Sequence, residues 1–256
     1  MKYKVIVGIE FETEYNTKML GELSQNGHHS ESGWCKFLDN KYFKCEEDRS
    51  LRVRKFGDTV EIISAPIELS NVQTVLKSLQ KSIYKKVGKS VPFNKVFSVN
   101  NTCGCHIHIS ILNCDNKFRY EIYDDGREEI FDFAGKPYNI REILSDDFMT
   151  IFRKKLHKNI SKNLGNIYPS FSKNYFRYYA QNRKNNVKDN ARYVEYYYAT
   201  KERCEFRSFN LIGVKTWNEF FKIFELFENS LQSTLNDYKK RPKLITTHVA
   251  RIKCAI

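Results

Sequence analysis

The chain has 256 residues, 41% of them hydrophobic and 29% charged. That is enough to bury a core without disulfide or metal staples. No apolar run approaches the roughly 18 residues of a membrane span. The net charge of +13 calls for an acidic partner or substrate, whether nucleotide, nucleic acid or polyanion. Seven cysteines, an odd number without a regular framework, point to a reducing compartment, and the cytoplasm is the expected location.

In chain order, Met1–Gly8 has too short an apolar run for a signal peptide and reads as the start of a strand over 3–13. On that strand Val5, Val7, Ile9, Phe11 and Thr13 share one parity, and Ile6, Gly8, Glu10 and Glu12 the other. Glu10 and Glu12 therefore point the same way, about 6 to 7 Å apart along the strand. Glu14 lies past the expected end and reads as solvated. Residues 16–33 read as a polar loop, with a lid as one use for it. Residues 34–45 and 50–55 read as strands joined by the acidic turn Glu46-Glu47-Asp48-Arg49-Ser50. Another strand, 59–65, carries Glu61 among Val60, Ile62 and Ile63 and stops at Pro66. Ser70 to Gln73 has capping-box form and opens an amphipathic helix to about Val87.

Residues 103–112 set His106 and His108 on one face of a strand and Ile107, Ile109 and Ile111 on the other. Alone, such a pair is more often two satisfied polar residues on a half-exposed strand. Residues 113–137 are turn-rich, and Asn139 to His157 reads as one helix. The stretch 153–203 is basic and rich in aromatics, which suits a nucleic-acid groove, a nucleotide mouth or a solvated face. Arg192 to Tyr198 and Arg203 to Leu211 form a hairpin pattern, with Glu205 and Arg207 on one face. Thr216 to Glu219 is a second capping box, opening a long helix that ends before Pro242. With no repeat or linker, residues 1–256 read as one α+β domain with a largely antiparallel sheet.

The strand residues of functional parity are Glu10, Glu12, Glu61, His106, His108, Glu205 and Arg207. Carboxylates with an occasional imidazole suit Mg²⁺ or Mn²⁺, whereas structural zinc favours thiolates. Cys103 and Cys105 fall on the strand face opposite the histidines, which disfavours one mixed site. Clustered carboxylates repel unless cations neutralise them, and the Arg207 guanidinium offers a planar fork for phosphate. Together these are parts for phosphoryl transfer.

Gly8-Ile-Glu10-Phe-Glu12, Glu47-Asp48-Arg-Ser50, Val60-Glu61-Ile-Ile-Ser64-Ala-Pro66, Cys103-Gly104-Cys-His106-Ile-His108 and Cys204-Glu205-Phe-Arg207 resemble, in order, the motifs of the amidoligases. These are carboxylate-amine ligases related to glutamine synthetase and glutamate-cysteine ligase. The resemblance covers about 1–110 and 190–212. It implies a curved, largely antiparallel sheet forming a funnel flanked by long helices, with ATP and Mg²⁺ (or Mn²⁺) as cofactors. It places Glu10, His106 and Glu205 on one metal and Glu12 with Glu61 on a second. Arg207 would stabilise the transferred phosphoryl group, with Glu10 sharing the catalytic position, and His108 and Arg207 would meet the nucleotide phosphates. Asp48, Ser50 and Arg192 would border the substrates.

The reaction implied joins a carboxylate to an amine through an acyl phosphate, the acid or amine being a small molecule, peptide, protein or other acidic polymer. Two other readings stay open on the residues alone. One is a nucleic-acid-binding module, which predicts steep salt dependence. The other is a metal-dependent hydrolase or nuclease, which predicts turnover without ATP.

Overall fold

The computed structural model describes residues 3–23, 38–48, 51–100, 103–113, 140–164, 196–209 and 211–239. Its strands are β1 (Tyr3–Tyr15), β2 (Phe43–Glu47), β3 (Asp58–Ser64), β4 (Ile67–Glu68), β5 (Phe97–Ser98), β6 (Cys105–Asn113), β7 (Tyr196–Tyr198) and β8 (Cys204–Phe209). Its helices are α1 (Thr17–Leu20), α2 (Val72–Val87), α3 (Phe93–Val96), α4 (Ile140–Ile143), α5 (Asp146–Asn163) and α6 (Trp217–Lys239). The strands form one open sheet in the order β2-β3-β1-β6-β8-β7, with β4 and β5 also pairing β1. Every pairing among the described residues is antiparallel. The architecture is α+β.

β1 is the central element because it is long and alternates cleanly. Val5, Val7, Ile9 and Phe11 are all buried, and they join Ile107, Ile109 and Ile111 of β6 and Val60 and Ile62 of β3 in one core. Helices cover this face. Phe220 of α6 meets Phe11 edge-on at 5.5 Å and stacks on Phe93 at 5.0 Å. Phe152 of α5 meets Phe206 of β8 and Phe227 of α6, each at 5.4 Å between ring centroids. Such offset and edge contacts suit aromatic quadrupoles and fix helix against sheet.

The Thr216–Glu219 capping box forms as expected. The Glu219 amide donates to Thr216 Oγ1 (3.2 Å), while the Thr216 amide donates back to Glu219 Oε2 (2.8 Å). The box expected at Ser70 does not form. Leu69–Asn71 is a 3₁₀ turn running straight into α2, whose leading residue Val72 donates its amide to the Leu69 carbonyl, so no side-chain cap is made.

Asn139 to His157 is not one helix. Ser145 separates α4 from α5 and caps α5 by accepting from the Phe148 amide at 3.3 Å, a role its hydroxyl fills better than an interior helical one. Glu46 and Glu47 belong to β2 rather than to a turn, and 51–57 is a bent loop, not a strand. The 24–33 part of the expected lid, the turn-rich 114–137 stretch and the 165–195 part of the basic segment lie outside the described residues.

Glu14 is the clearest departure. β1 runs on to Tyr15, and Glu14 is fully buried. Its Oε2 accepts the amides of Lys55 (2.7 Å) and Phe56 (2.9 Å), and Oε1 accepts from Asn100 Nδ2 (3.1 Å). Burial alone would raise its pKa, but the amides of Phe56, Lys55 and Arg54 and the Asn100 side chain hold it below the usual value. A buried carboxylate thus ties the loop entering β3 to the sheet. Glu14→Ala takes the acceptor from the Lys55 and Phe56 amides, and we expect it to lower stability by about 3 kcal/mol in urea denaturation. Cleavage by trypsin after Arg54 and Lys55 should accelerate in the same variant; a loop as resistant as in the wild type would show that it is held otherwise.

Candidate active site

Strand register assembles the site. β1 sets Glu10 opposite His106, Gly8 opposite His108 and Glu12 opposite Glu61. β2 sets Glu46 opposite Glu61, and β8 sets Glu205 opposite His108. Directly opposed residues share a face, so all of these lie on the face turned away from the aromatic core. Between Cys105 and Ile107 the β6–β8 register slips. Phe206 faces Ile107 and Phe209 faces Cys105, so Arg207 and Ser208 together oppose His106. A bulge of this kind re-aims side chains, and here it accompanies the close approach of Glu205 and Arg207.

Glu10 is the hub. Its Oε1 lies 3.1 Å from His106 Nδ1 and its Oε2 3.2 Å from His108 Nε2. Glu205 Oε1 lies 3.7 Å from the same His106 nitrogen and 2.5 Å from Arg207 Nε. Glu12 Oε2 accepts the Gly104 amide at 2.6 Å, and the Glu12 amide donates to the Gly104 carbonyl at 3.0 Å. Side-chain exposures of Glu10, His106, His108, Glu205 and Arg207 run from 5% to 23%. The groups are largely desolvated yet open on one side.

Desolvation separates the carboxyls into two kinds. Burial would raise the pKa of Glu10, but hydrogen bonds from His106, His108 and Glu61 overcome it and hold the carboxyl far below its usual range. With Glu10 ionised, both facing imidazole nitrogens carry hydrogen, since a carboxylate only accepts. Glu61 goes the other way. Burial, then its hydrogen bond with Glu10 and repulsion from Glu10, Glu12 and Glu46, push it up to about 10. That direction favours its neutral form, whose proton can be donated to Glu10. Glu12 is also raised, chiefly by burial, against the Gly104 amide that favours its charged form.

The structure thus brings together Glu10, Glu12, Glu61, His106, His108, Glu205 and Arg207. Asp48 is buried and near enough to repel Glu12. Ser50 and Arg192 lie outside the described residues. Lys44 of β2 was not singled out from the sequence, and Glu46 was expected in an acidic turn rather than on the strand. Both stand on the site face, 2.5 Å apart, and the only signal was alternation along a strand whose end the sequence pattern placed at residue 45. Cys105 lies on the core face, fully buried, as parity predicts.

As they stand, these side chains bond one another, and among the described residues no three form a ready metal-ligand arrangement. The donor set nevertheless fits a hard divalent cation. It offers carboxylate oxygens from three strands, imidazole nitrogens and no thiolate on the same face. The raised pKa values of Glu12 and Glu61 come from burial first and from repulsion by neighbouring carboxylates second, and a bound cation would offset both.

The shift of Glu61 has a definite sign. Its ordinary value is 4.5 and its folded value about 10, so its contribution to stability is full below the lower value and is lost as pH rises towards the upper. In cation-free protein we expect thermal stability to fall across that window and Glu61→Gln, which mimics the protonated form, to flatten the fall. A Gln variant with an unchanged pH slope would place the shared proton elsewhere.

No family model and no curated protein matches the chain. Solved structures with a distant likeness include two glutamine synthetase-type proteins. One is a novel glutamine synthase homolog, with 12% identity over 91% of this chain and 56% of that one, at a TM-score of 0.41. The other is the glutamine synthetase of Plasmodium falciparum, with 11% identity over 90% of this chain and 52% of that one, at a TM-score of 0.37. The chain thus spans about half the length of either protein.

Proposed function

We propose that this face binds ATP with divalent cations and joins a carboxylate to an amine. The observation that carries the reading is the convergence of Glu10, Glu12, Glu61, Glu205, His106 and His108 with Arg207 on one half-buried sheet face. The motif order that resembles the amidoligases supports the same reaction, and the curved funnel it implies is part of the reading. Glu10, His106 and Glu205 would hold one Mg²⁺ or Mn²⁺, and Glu12 with Glu61 a second. A cation bound there supplies charge neutralisation between the carboxylates and the polyphosphate.

The chain's own residues divide the remaining work. Arg207, oriented by Glu205, faces the transferred phosphoryl group with a charge it cannot lose. Buried carboxylates hold the imidazoles in fixed tautomers, with His108 beside the nucleotide phosphates. The substrate's carboxylate oxygen attacks the γ-phosphorus and ADP departs. The amine then attacks the acyl carbon of the acyl phosphate, the amide forms and phosphate leaves. Low exposure of the face protects such an intermediate from water. Asp48, Ser50 and Arg192 would border the acid and amine, as the resemblance implies, and the net charge of +13 suits an acidic substrate, including a peptide, protein or other acidic polymer.

Calorimetric binding of a non-hydrolysable ATP analogue tests this without knowledge of the substrates. We expect binding to the wild type only with Mg²⁺, weakened at least about tenfold in Arg207→Ala and lost in Glu10→Gln. Folded wild-type protein that ignores the nucleotide at millimolar Mg²⁺ would sink the reading. Metal-dependent turnover of a phosphodiester without ATP would replace it with the hydrolase.

A further inference from the structure

Gly104 is a glycine for an unusual reason. Its φ lies outside the left-handed region, unlike those of Gly21, Gly88 and Gly213, so its backbone conformation is open to any L-residue. What excludes a side chain is the site. A Cβ there would stand 2.7 Å from His106 Nε2, 3.3 Å from His106 Cε1 and 3.4 Å from Glu12 Oε2. The ring has little freedom to yield, because His106 is buried and its Nδ1 is engaged by Glu10. Moving it aside breaks the contact at the hub.

Gly104 also sets the neighbouring carboxylate. Its amide donates to Glu12 Oε2 and its carbonyl accepts from the Glu12 amide. One residue therefore gives room to an imidazole from β6 and aims a carboxylate from β1. With Nδ1 of His106 taken by Glu10, Nε2 is the nitrogen left facing this place. Gly8 makes a natural contrast. It lies opposite His108, yet a Cβ on it would meet His108 Cβ at 3.6 Å and Cδ2 at 3.9 Å, ordinary contacts.

We propose that Gly104 is a positioning residue: the absence of a side chain gives the His106 ring its room and its amide fixes the Glu12 carboxylate, so that one residue pre-sets a donor for each of the two cations of the reading above. The cations rest on that functional reading; the positioning of His106 and Glu12 does not. Pre-set donors of this kind keep a site selective and tight, and disturbing such support costs metal affinity about 10- to 100-fold.

The test is a double-mutant cycle with a spectroscopic readout. Gly104→Ala is measured in the wild type and in His106→Ala, by thermal melting without metal, beside ¹⁵N spectra of the histidine rings and Mn²⁺ binding followed by electron paramagnetic resonance. We expect Gly104→Ala to lower Tm by several degrees and to shift the His106 ring nitrogens. We also expect it to weaken Mn²⁺ binding by at least about tenfold, while Gly8→Ala changes none of these. In the His106→Ala background the added methyl should have no cost, because the ring it strikes is gone.

An equal Tm penalty in both backgrounds would overturn the proposal, since the glycine would then serve the backbone. So would His106 resonances that stay in place in Gly104→Ala. If that variant does not fold, a double variant as stable as His106→Ala supports the proposal and one that also fails to fold contradicts it. Wild-type protein that binds no Mn²⁺ counts against the functional reading alone, because the cycle and the spectra are read without metal.

Discussion

The carboxylate of Glu10 bonds two imidazoles at once, one through each oxygen, and also accepts a hydrogen bond from Glu61. Three strands are tied at this point: β1 contributes the hub, β6 both histidines and β3 the partner carboxyl. Buried polar networks are stable when each member is satisfied and costly when one is removed. The site face therefore has its own internal logic of charge. Glu10 is ionised because the hydrogen bonds it receives outweigh its burial, and Glu61 is held towards its neutral form by burial first and by the neighbouring Glu10 charge second.

Behind that network stands an apolar layer that leaves the polar face little freedom to rearrange. Val5, Val7, Ile9 and Phe11 alternate with Ile6, Gly8, Glu10 and Glu12 along β1, and the same pleat sends Ile107 and Ile109 one way and His106 and His108 the other. A slip of one residue would carry the carboxylates into the aromatic cluster around Phe220 and Phe152. The cost of burying them there locks the register. Core packing thus specifies the site at a distance, without touching a ligand.

This coupling explains what could be read in advance. The facing of Glu10, Glu12, His106 and His108 was legible because strand parity is a local property of the chain. Grouping Glu61 and Glu205 with them also rested on strand parity, and the order of the motifs supported it. What escaped is what pairing and loops decide. Glu14 looked solvated because it seemed to follow the strand's end; it is buried because Lys55, Phe56 and Asn100 come back to meet it from elsewhere in the chain. Lys44 and Glu46 join the face because β2 pairs with β3, and no pattern within 34–47 states that partner. Ser145 interrupts the helix expected over 139–157 because its hydroxyl competes for a backbone amide, a choice that periodicity does not register.

The central claim is that this face is a cation site serving phosphoryl transfer. A crystal soaked in Mn²⁺ with a non-hydrolysable ATP analogue, with anomalous scattering recorded at the manganese edge, tests it most directly. The account predicts anomalous peaks on the sheet face bounded by Glu10, Glu12, Glu61, His106 and Glu205, with phosphate density reaching Arg207. Well-ordered Mn²⁺ bound elsewhere, with the Glu10 contacts to His106 and His108 unchanged and no nucleotide on the face, would contradict it.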